Sequence, residues 1–232
     1  MQLPKYIAHR GASAYAPENT LGAMRKAKEL GASWVEFDVQ LTKDDEVIVI
    51  HDETVNRTTN GKGEVKSFTL EDIQKLDAGD GEKIPTFVEM IKNLKTLSLN
   101  ANVELKSSEG EELIVCKKVI AILDEYWPSS LAQPLLSSFS HKIIMTLKKI
   151  DCAYPIAALM HEWNDGWLSY AKEIEPISIN VNQEILTQER VQAIKSEGYD
   201  MLSYTVNTVE RANELFVWGL DGIFTDHIDL FA

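Results

Sequence analysis

The sequence predicts an α/β protein, a (β/α)8 TIM barrel with a small insertion after the second strand. Three observations carry that prediction. Short apolar runs alternate with stretches of helical periodicity from one end of the chain to the other. Eight of these runs read as core strands, the number at which a parallel sheet with helices outside closes into a ring. The polar residues that stand out fall at or just beyond strand ends, where that architecture carries its reactive groups. With 232 residues, 44% of them hydrophobic, and no low-complexity tract, the chain can bury one large core. Residues 1–232 are therefore expected to form a single domain, with the insertion at about 56–85.

The elements follow in order. Tyr6 to His9 reads as the first strand, and Asn19 to Leu30 as a helix through the spacing of Leu21, Met24, Ala27 and Leu30, stopped by Gly31. Trp34 to Leu41 is the second strand. After the polar turn at Lys43 to Glu46, Val47 to Ile50 runs back as the other arm of a hairpin and returns His51 to the neighbourhood of Glu36 and Asp38. Asn56 to Pro85 does not fit the repeat: Asn60-Gly61-Lys62-Gly63 and Asp77-Ala78-Gly79-Asp80-Gly81 are turn sequences, with a short helix around Leu70 to Leu76. This segment either caps the barrel mouth or is a surface excursion between strands. Val103 to Leu105 is the next strand. The rest alternates regularly: helix Glu112–Glu125, strand Leu135–Ser138, helix His141–Ile150, strand Ile156–Leu159, helix Gly166–Glu173, strand Ile177–Val181, helix Gln188–Glu197, strand Met201–Val206, helix Val209–Trp218 and strand Gly222–Thr225.

The first fifty-odd residues concentrate chemistry. His9-Arg10-Gly11, Glu36-Phe37-Asp38 and His51-Asp52 bring together two imidazoles, several carboxylates and a guanidinium. Glu36 and Asp38 are two apart in a strand, so they point the same way. Glu104 and Lys106 share one face of the Val103 strand, adding a third carboxylate and a cation. Three convergent carboxylates suit one hard divalent ion, Mg2+ or Ca2+, whereas Zn2+ more often takes imidazole or thiolate. A phosphodiester needs cations for the charge its oxygens gain in the transition state and proton carriers to move hydrogen, and this set supplies both. His9 and His51 are the candidate acid and base, since imidazole exchanges protons near neutrality. Arg10 and Lys106 are candidate phosphate contacts, with structural ion pairs to the nearby acids as the alternative. His141, His161 and His227 lack such surroundings and read as helix-start, loop and terminal residues. Phe139, Trp163, Trp167 and Tyr204 either wall the pocket or pack in the core.

Charge and composition bound the function. A formal net charge of −13 argues against nucleic-acid binding, which relies on clustered Lys and Arg, but leaves room for a small anionic substrate held locally. The amino terminus enters its first strand within a few residues, with no signal-peptide core, and no apolar run approaches a spanning length. Taking Met1 as the native start, the expectation is a cytoplasmic protein without stable membrane association. Two isolated cysteines, Cys116 and Cys152, read as free thiols.

Nine motifs in sequence order carry a resemblance: His9-Arg10-Gly11, Pro17-Glu18-Asn19-Thr20, Glu36-Phe37-Asp38, His51-Asp52, Arg57-Thr58-Thr59-Asn60-Gly61, Val103-Glu104-Leu105-Lys106, Ser137-Ser138-Phe139, Tyr204-Thr205-Val206-Asn207 and Asp221-Gly222-Ile223-Phe224-Thr225-Asp226. Over nearly its whole length the chain resembles the glycerophosphodiester phosphodiesterases, and most the small cytosolic bacterial type. The resemblance implies a distorted barrel with a small insertion and hydrolysis of glycerophosphodiesters to glycerol 3-phosphate and an alcohol. It also implies one divalent cation, Mg2+ before Ca2+, on Glu36, Asp38 and Glu104, with His9 and His51 as acid and base. Where the family often has a proline after its final Thr-Asp, this chain continues His227-Ile228-Asp229, outside the metal and acid-base set. Attack by water and prior attack by the glycerol 2-hydroxyl to give a cyclic phosphate are both compatible. The rival functions are a barrel phosphodiesterase acting on lysophospholipid and a non-catalytic binding barrel.

Overall fold

A computed structural model describes residues 3–231. Strands β1 (Tyr6–Ala8), β2 (Trp34–Leu41), β3 (Val47–Val49), β4 (Asn100–Leu105), β5 (Leu135–Ser138), β6 (Ile156–Met160), β7 (Ser178–Asn182), β8 (Asp200–Tyr204) and β9 (Gly222–Thr225) alternate with helices over most of the chain. The helices are α1 (Leu21–Glu29), α2 (Leu70–Ile73), α3 (Phe87–Leu97), α4 (Glu112–Tyr126), α5 (His141–Lys149), α6 (Trp167–Ile174), α7 (Gln188–Ser196) and α8 (Val209–Trp218). All strands except β3 pair in parallel around a closed ring, β1-β9-β8-β7-β6-β5-β4-β2, with β2 returning to β1 through Ala8 and Val35. The expected (β/α)8 barrel is the observed fold. β2 outgrows the ring, and its upper end, Val39 to Leu41, pairs antiparallel with β3 as the hairpin reading requires.

One element corrects the sequence reading. No helix was expected between Pro85 and Val103, yet α3 occupies Phe87–Leu97 and buries Phe87, Met90, Ile91 and Leu94 against the barrel. Its start is a reciprocal capping box: the Thr86 hydroxyl accepts from the Glu89 amide, and the Glu89 carboxylate accepts from the Thr86 amide. With α3 counted, the β2-to-β4 crossover has its helix like the others.

Parallel barrel strands are covered on both faces, so the chain builds two apolar layers. Outward-facing residues such as Val35, Phe37, Val103 and Ile179 pack under the helices. Inward-facing Ile7, Trp34, Leu135, Ala157, Leu202 and Phe224 plug the barrel from within. Each of the larger of these side chains, fully buried, contributes about 1.5 to 3 kcal/mol. The insertion makes a third cluster, Val55, Val65, Ile73, Ala78 and Ile84, which packs on Ile48 and Ile50 at the β3 arm. No helix among the described residues is long and apolar enough to cross a membrane.

Candidate active site

The strand pleat assembles the acidic centre. Asp38 of β2 lies directly opposite Glu104 of β4 in the parallel ladder, and Glu36 is one inward-facing position lower. Glu36, Asp38 and Glu104 each present an oxygen within 4.8 Å of the others. Glu36 and Asp38 are only 4% and 1% exposed, so water does little to separate their charges. Burial, with the charges of Asp38 and Glu104, raises Glu36 well above the usual carboxylate range. Burial and Asp38 likewise push Glu104 up to about 7, against the pull of Lys106. Asp38 goes the other way. Burial alone would raise it, but Lys106, Arg10, His51 and a hydrogen bond from the Asn19 amide at 2.8 Å outweigh that and hold it below its ordinary value. The centre is short of positive charge, and three hard oxygens around one point fit a hard divalent cation.

Each histidine is held by a carboxylate at its Nδ1, leaving Nε2 for chemistry. His9 Nδ1 lies 2.8 Å from Asp226 Oδ1, while its Nε2 is 4.0 Å from Glu36. Asp226 is fixed in turn by Ser13 at 2.8 Å and by the Asn207 amide at 2.7 Å. Burial would raise Asp226, but His9 and these hydrogen bonds reverse it and keep it far below the usual range. His51 Nδ1 lies 2.6 Å from Asp52. Burial is the largest influence on His51 and lowers it; Lys106 and Arg10 lower it further, and Asp38 and Asp52 only partly oppose them, which favours the neutral ring.

The cations are already engaged. Arg10 donates to Glu18 from Nη1 at 2.8 Å, and its backbone amide donates to Glu36 at 2.9 Å. The turn that aims it is tight: Arg10 (φ 54°) and Gly11 (φ 80°) are left-handed, and a Cβ on Gly11 would stand 2.7 Å from that of Ala23 in α1. Lys106 sits between Asp38 at 3.2 Å and Glu104 at 2.7 Å. Burial would lower it, but those two carboxylates raise it on balance.

These groups surround the inner end of a cavity of about 250 Å³ lined by His9, Arg10, Glu36, His51 and Glu104, with Phe139, Leu159, His161 and Tyr204 forming its apolar side. Of the expected site residues, Asp38 and Lys106 lie behind this lining, Asp38 because it is fully buried and Lys106 because it turns onto the acids. Phe139 and Tyr204 are walls, their rings edge-to-face at 5.7 Å. Trp167 is buried in α6 and Trp163 packs on it, and neither lines this cavity. His161, read as a plain loop residue, stands in the wall. No residue of the insertion lines the cavity. Sequence reasoning gave no role to Glu18, Asn19, Asp52, Arg57, Asn207 or Asp226, which hold the reactive groups. Their only signal was membership of motifs adjacent to those groups.

Comparison with known proteins gives this geometry its context. Residues 9–230 match the family model described as the glycerophosphoryl diester phosphodiesterase family. A glycerophosphodiester phosphodiesterase from Caldanaerobacter subterraneus subsp. tengcongensis is 38% identical, covering 95% of this chain and 93% of that protein. One from Bacillus subtilis is 33% identical over 97% of this chain and 84% of its own. Among solved structures, an Oleispira antarctica phosphodiesterase in complex with the product sn-glycerol-3-phosphate matches with a TM-score of 0.95 at 31% identity, covering 98% of this chain and 95% of that one.

Proposed function

The chain belongs to the glycerophosphoryl diester phosphodiesterase family, and on that premise we propose that it hydrolyses glycerophosphodiesters to sn-glycerol 3-phosphate and an alcohol. The observation that carries this reading is the pairing of two carboxylate-anchored histidines with three convergent acids around one cavity. Glu36, Asp38 and Glu104 would hold one divalent cation, Mg2+ in preference to Ca2+. Bound there, the ion supplies Lewis acidity toward a phosphoryl oxygen. Arg10, anchored on Glu18 and facing the cavity, binds the phosphate and takes up charge in the transition state. Lys106 acts from behind by aligning Asp38 and Glu104 and favouring their ionised forms. One histidine removes the nucleophile's proton and the other protonates the departing alkoxide, each fixed in orientation by its aspartate. The free thiols and the net charge of −13 fit a cytoplasmic enzyme acting on a small molecule rather than on nucleic acid or a membrane.

A second reading has its own observation. A cavity of about 350 Å³, lined by Ala158, Met160, Trp167, Tyr170 and Ile179, shares Phe139, Leu159 and His161 with the catalytic cavity. That annex, largely apolar apart from Glu162 and Asn164, favours a lysophospholipid, whose acyl chain needs such a place. Turnover of glycerophosphoethanolamine and of lysophosphatidylcholine, each with and without Mg2+, tests both. Metal-dependent release of sn-glycerol 3-phosphate from the first substrate alone supports the main reading, and faster turnover of the second supports the alternative. No turnover of either contradicts both.

A further inference from the structure

We propose that Arg57, carried by the insertion, is a positioning residue that fixes His51 and Arg10 relative to one another by clamping Asp52 and Glu18 at the same time. The inference rests on the function proposed above and assigns the insertion its part in it.

The contacts are complete on both sides. Toward His51, Arg57 Nε and Nη2 donate to the two oxygens of Asp52, each at 2.8 Å, and Asp52 holds His51 Nδ1 at 2.6 Å. Toward the phosphate side, Arg57 Nη1 and Nη2 donate to the two oxygens of Glu18 at 2.6 and 2.9 Å, and Glu18 receives Arg10 Nη1 at 2.8 Å. Five side chains thus run unbroken from His51 to Arg10. Only a planar guanidinium fork can chelate two carboxylates in this way; an ammonium supplies a point charge without the two edges. The backbone beneath Arg57 is itself pinned, since the Val55 amide donates to Gly63, the Thr59 amide donates to Val55, and Val55 is fully buried.

Neither Arg57 nor Glu18 lines the catalytic cavity, so both act through their neighbours rather than on substrate. Arg57 is 48% exposed, but its bidentate contacts form a network that can also stabilise the fold, so the folded fraction is read separately from the rate. The value of Arg57 to the site lies in alignment, where a misplacement of about 1 Å can cost about a hundredfold in rate.

The test is steady-state hydrolysis of glycerophosphoethanolamine with saturating Mg2+, using R57Q, R57K, D52N and the R57Q/D52N double variant, with the folded fraction read by thermal melts. R57Q should lower kcat about 10- to 100-fold while KM moves less than about threefold. R57K, which keeps charge and length, should remain at least about tenfold slow because it lacks the fork. If Arg57 acts through Asp52, the double variant should be no slower than the worse single one within about threefold. Should R57Q not fold, R57K alone decides. Wild-type kcat in R57Q or R57K, a loss explained by the folded fraction, or losses that multiply in the double variant would each overturn the inference. A wild type that releases no sn-glycerol 3-phosphate overturns the functional reading, and this inference with it; normal wild-type turnover beside an unaffected variant overturns this inference alone.

Discussion

Two residues along the same strands separate the floor of this barrel from its mouth. Ile7 becomes His9, Trp34 becomes Glu36, Leu135 becomes Ser137 and Leu202 becomes Tyr204, with each pair on one inward face because the strand period is two. Below, the ring is filled with apolar side chains that lose only water. Above, it gathers carboxylates whose ionisation burial opposes and which need cations nearby. The floor makes the fold stable, and the mouth draws on that stability to hold charges close together. Such a division predicts that changes on the two levels have effects of different kind.

The widest separation should come from single alanine substitutions. His9→Ala and His51→Ala should each lower turnover about 10²- to 10⁴-fold with melting temperature and metal affinity nearly unchanged. A p-nitrophenyl diester, whose leaving group needs little protonation, should rescue the variant lacking the acid and leave the one lacking the base slow. Leu135→Ala on the floor should do the reverse, costing about 2 to 5 kcal/mol of stability while preserving the rate per folded molecule. Equal losses of activity and stability at both levels would erase the distinction.

Next in size is the response to metal. At about a hundredfold excess over its dissociation constant, a divalent ion should stabilise the folded protein by about 2.7 kcal/mol. Glu104→Gln should abolish most of that gain. Chelator-treated wild type whose melting is indifferent to Mg2+ and Ca2+ would remove the reason for placing an ion on the three acids.

Acidity should distinguish the levels more gently. Glu36 and Glu104 have folded-state affinities for protons above those of the unfolded chain, Glu104 at about 7, so the metal-free folded protein takes up protons first. Its stability should therefore rise as pH falls from about 8 toward 5, and Mg2+ should remove the rise. Further acidification should reverse the trend, because Asp38 and Asp226 are held below their ordinary values and their contribution disappears once they protonate. A stability that only falls below pH 8 in the metal-free protein would contradict the repulsion inferred among the acids. Denaturant midpoints measured across pH decide this.

The smallest expected effect concerns the insertion, whose exposed Lys62 and Lys66 are not among the residues lining the cavity. Alanine at both should leave the ranking of choline, ethanolamine and glycerol diesters unchanged to within about twofold in kcat/KM. A reordered ranking would restore the insertion as a cap over the mouth, the reading that its absence from the cavity lining speaks against.

How far the sequence reveals this arrangement depends on the distance over which each signal acts. The barrel was legible because doubly covered strands read as apolar runs, and Glu36 with Asp38 because a period of two is local arithmetic. α3 had a local signal too, in Thr86 and Glu89 followed by Phe87, Met90, Ile91 and Leu94 at helical spacing, but the turn-rich run ending at Pro85 obscured it. The support of the histidines was not legible in that way. His9 and Asp226 lie 217 positions apart and meet only because β1 pairs with β9. The clamp at Arg57 joins residues 39 apart across two separate motifs. Aromatic residues gave no warning of their direction: Phe139 and Tyr204 became walls of the catalytic cavity, while Trp163 packs on Trp167 and Trp167 lines only the neighbouring cavity.

One ion on Glu36, Asp38 and Glu104 is proposed above to make this cavity a phosphodiesterase, and this is tested by release of sn-glycerol 3-phosphate from glycerophosphoethanolamine by metal-stripped protein titrated with Mg2+, with bound ion counted in parallel. The rate should rise in proportion to occupancy and level off at one ion per chain, with Glu104→Gln showing neither binding nor turnover in the same range. Full turnover by the stripped protein, or ion binding that Glu104→Gln leaves intact, would contradict it.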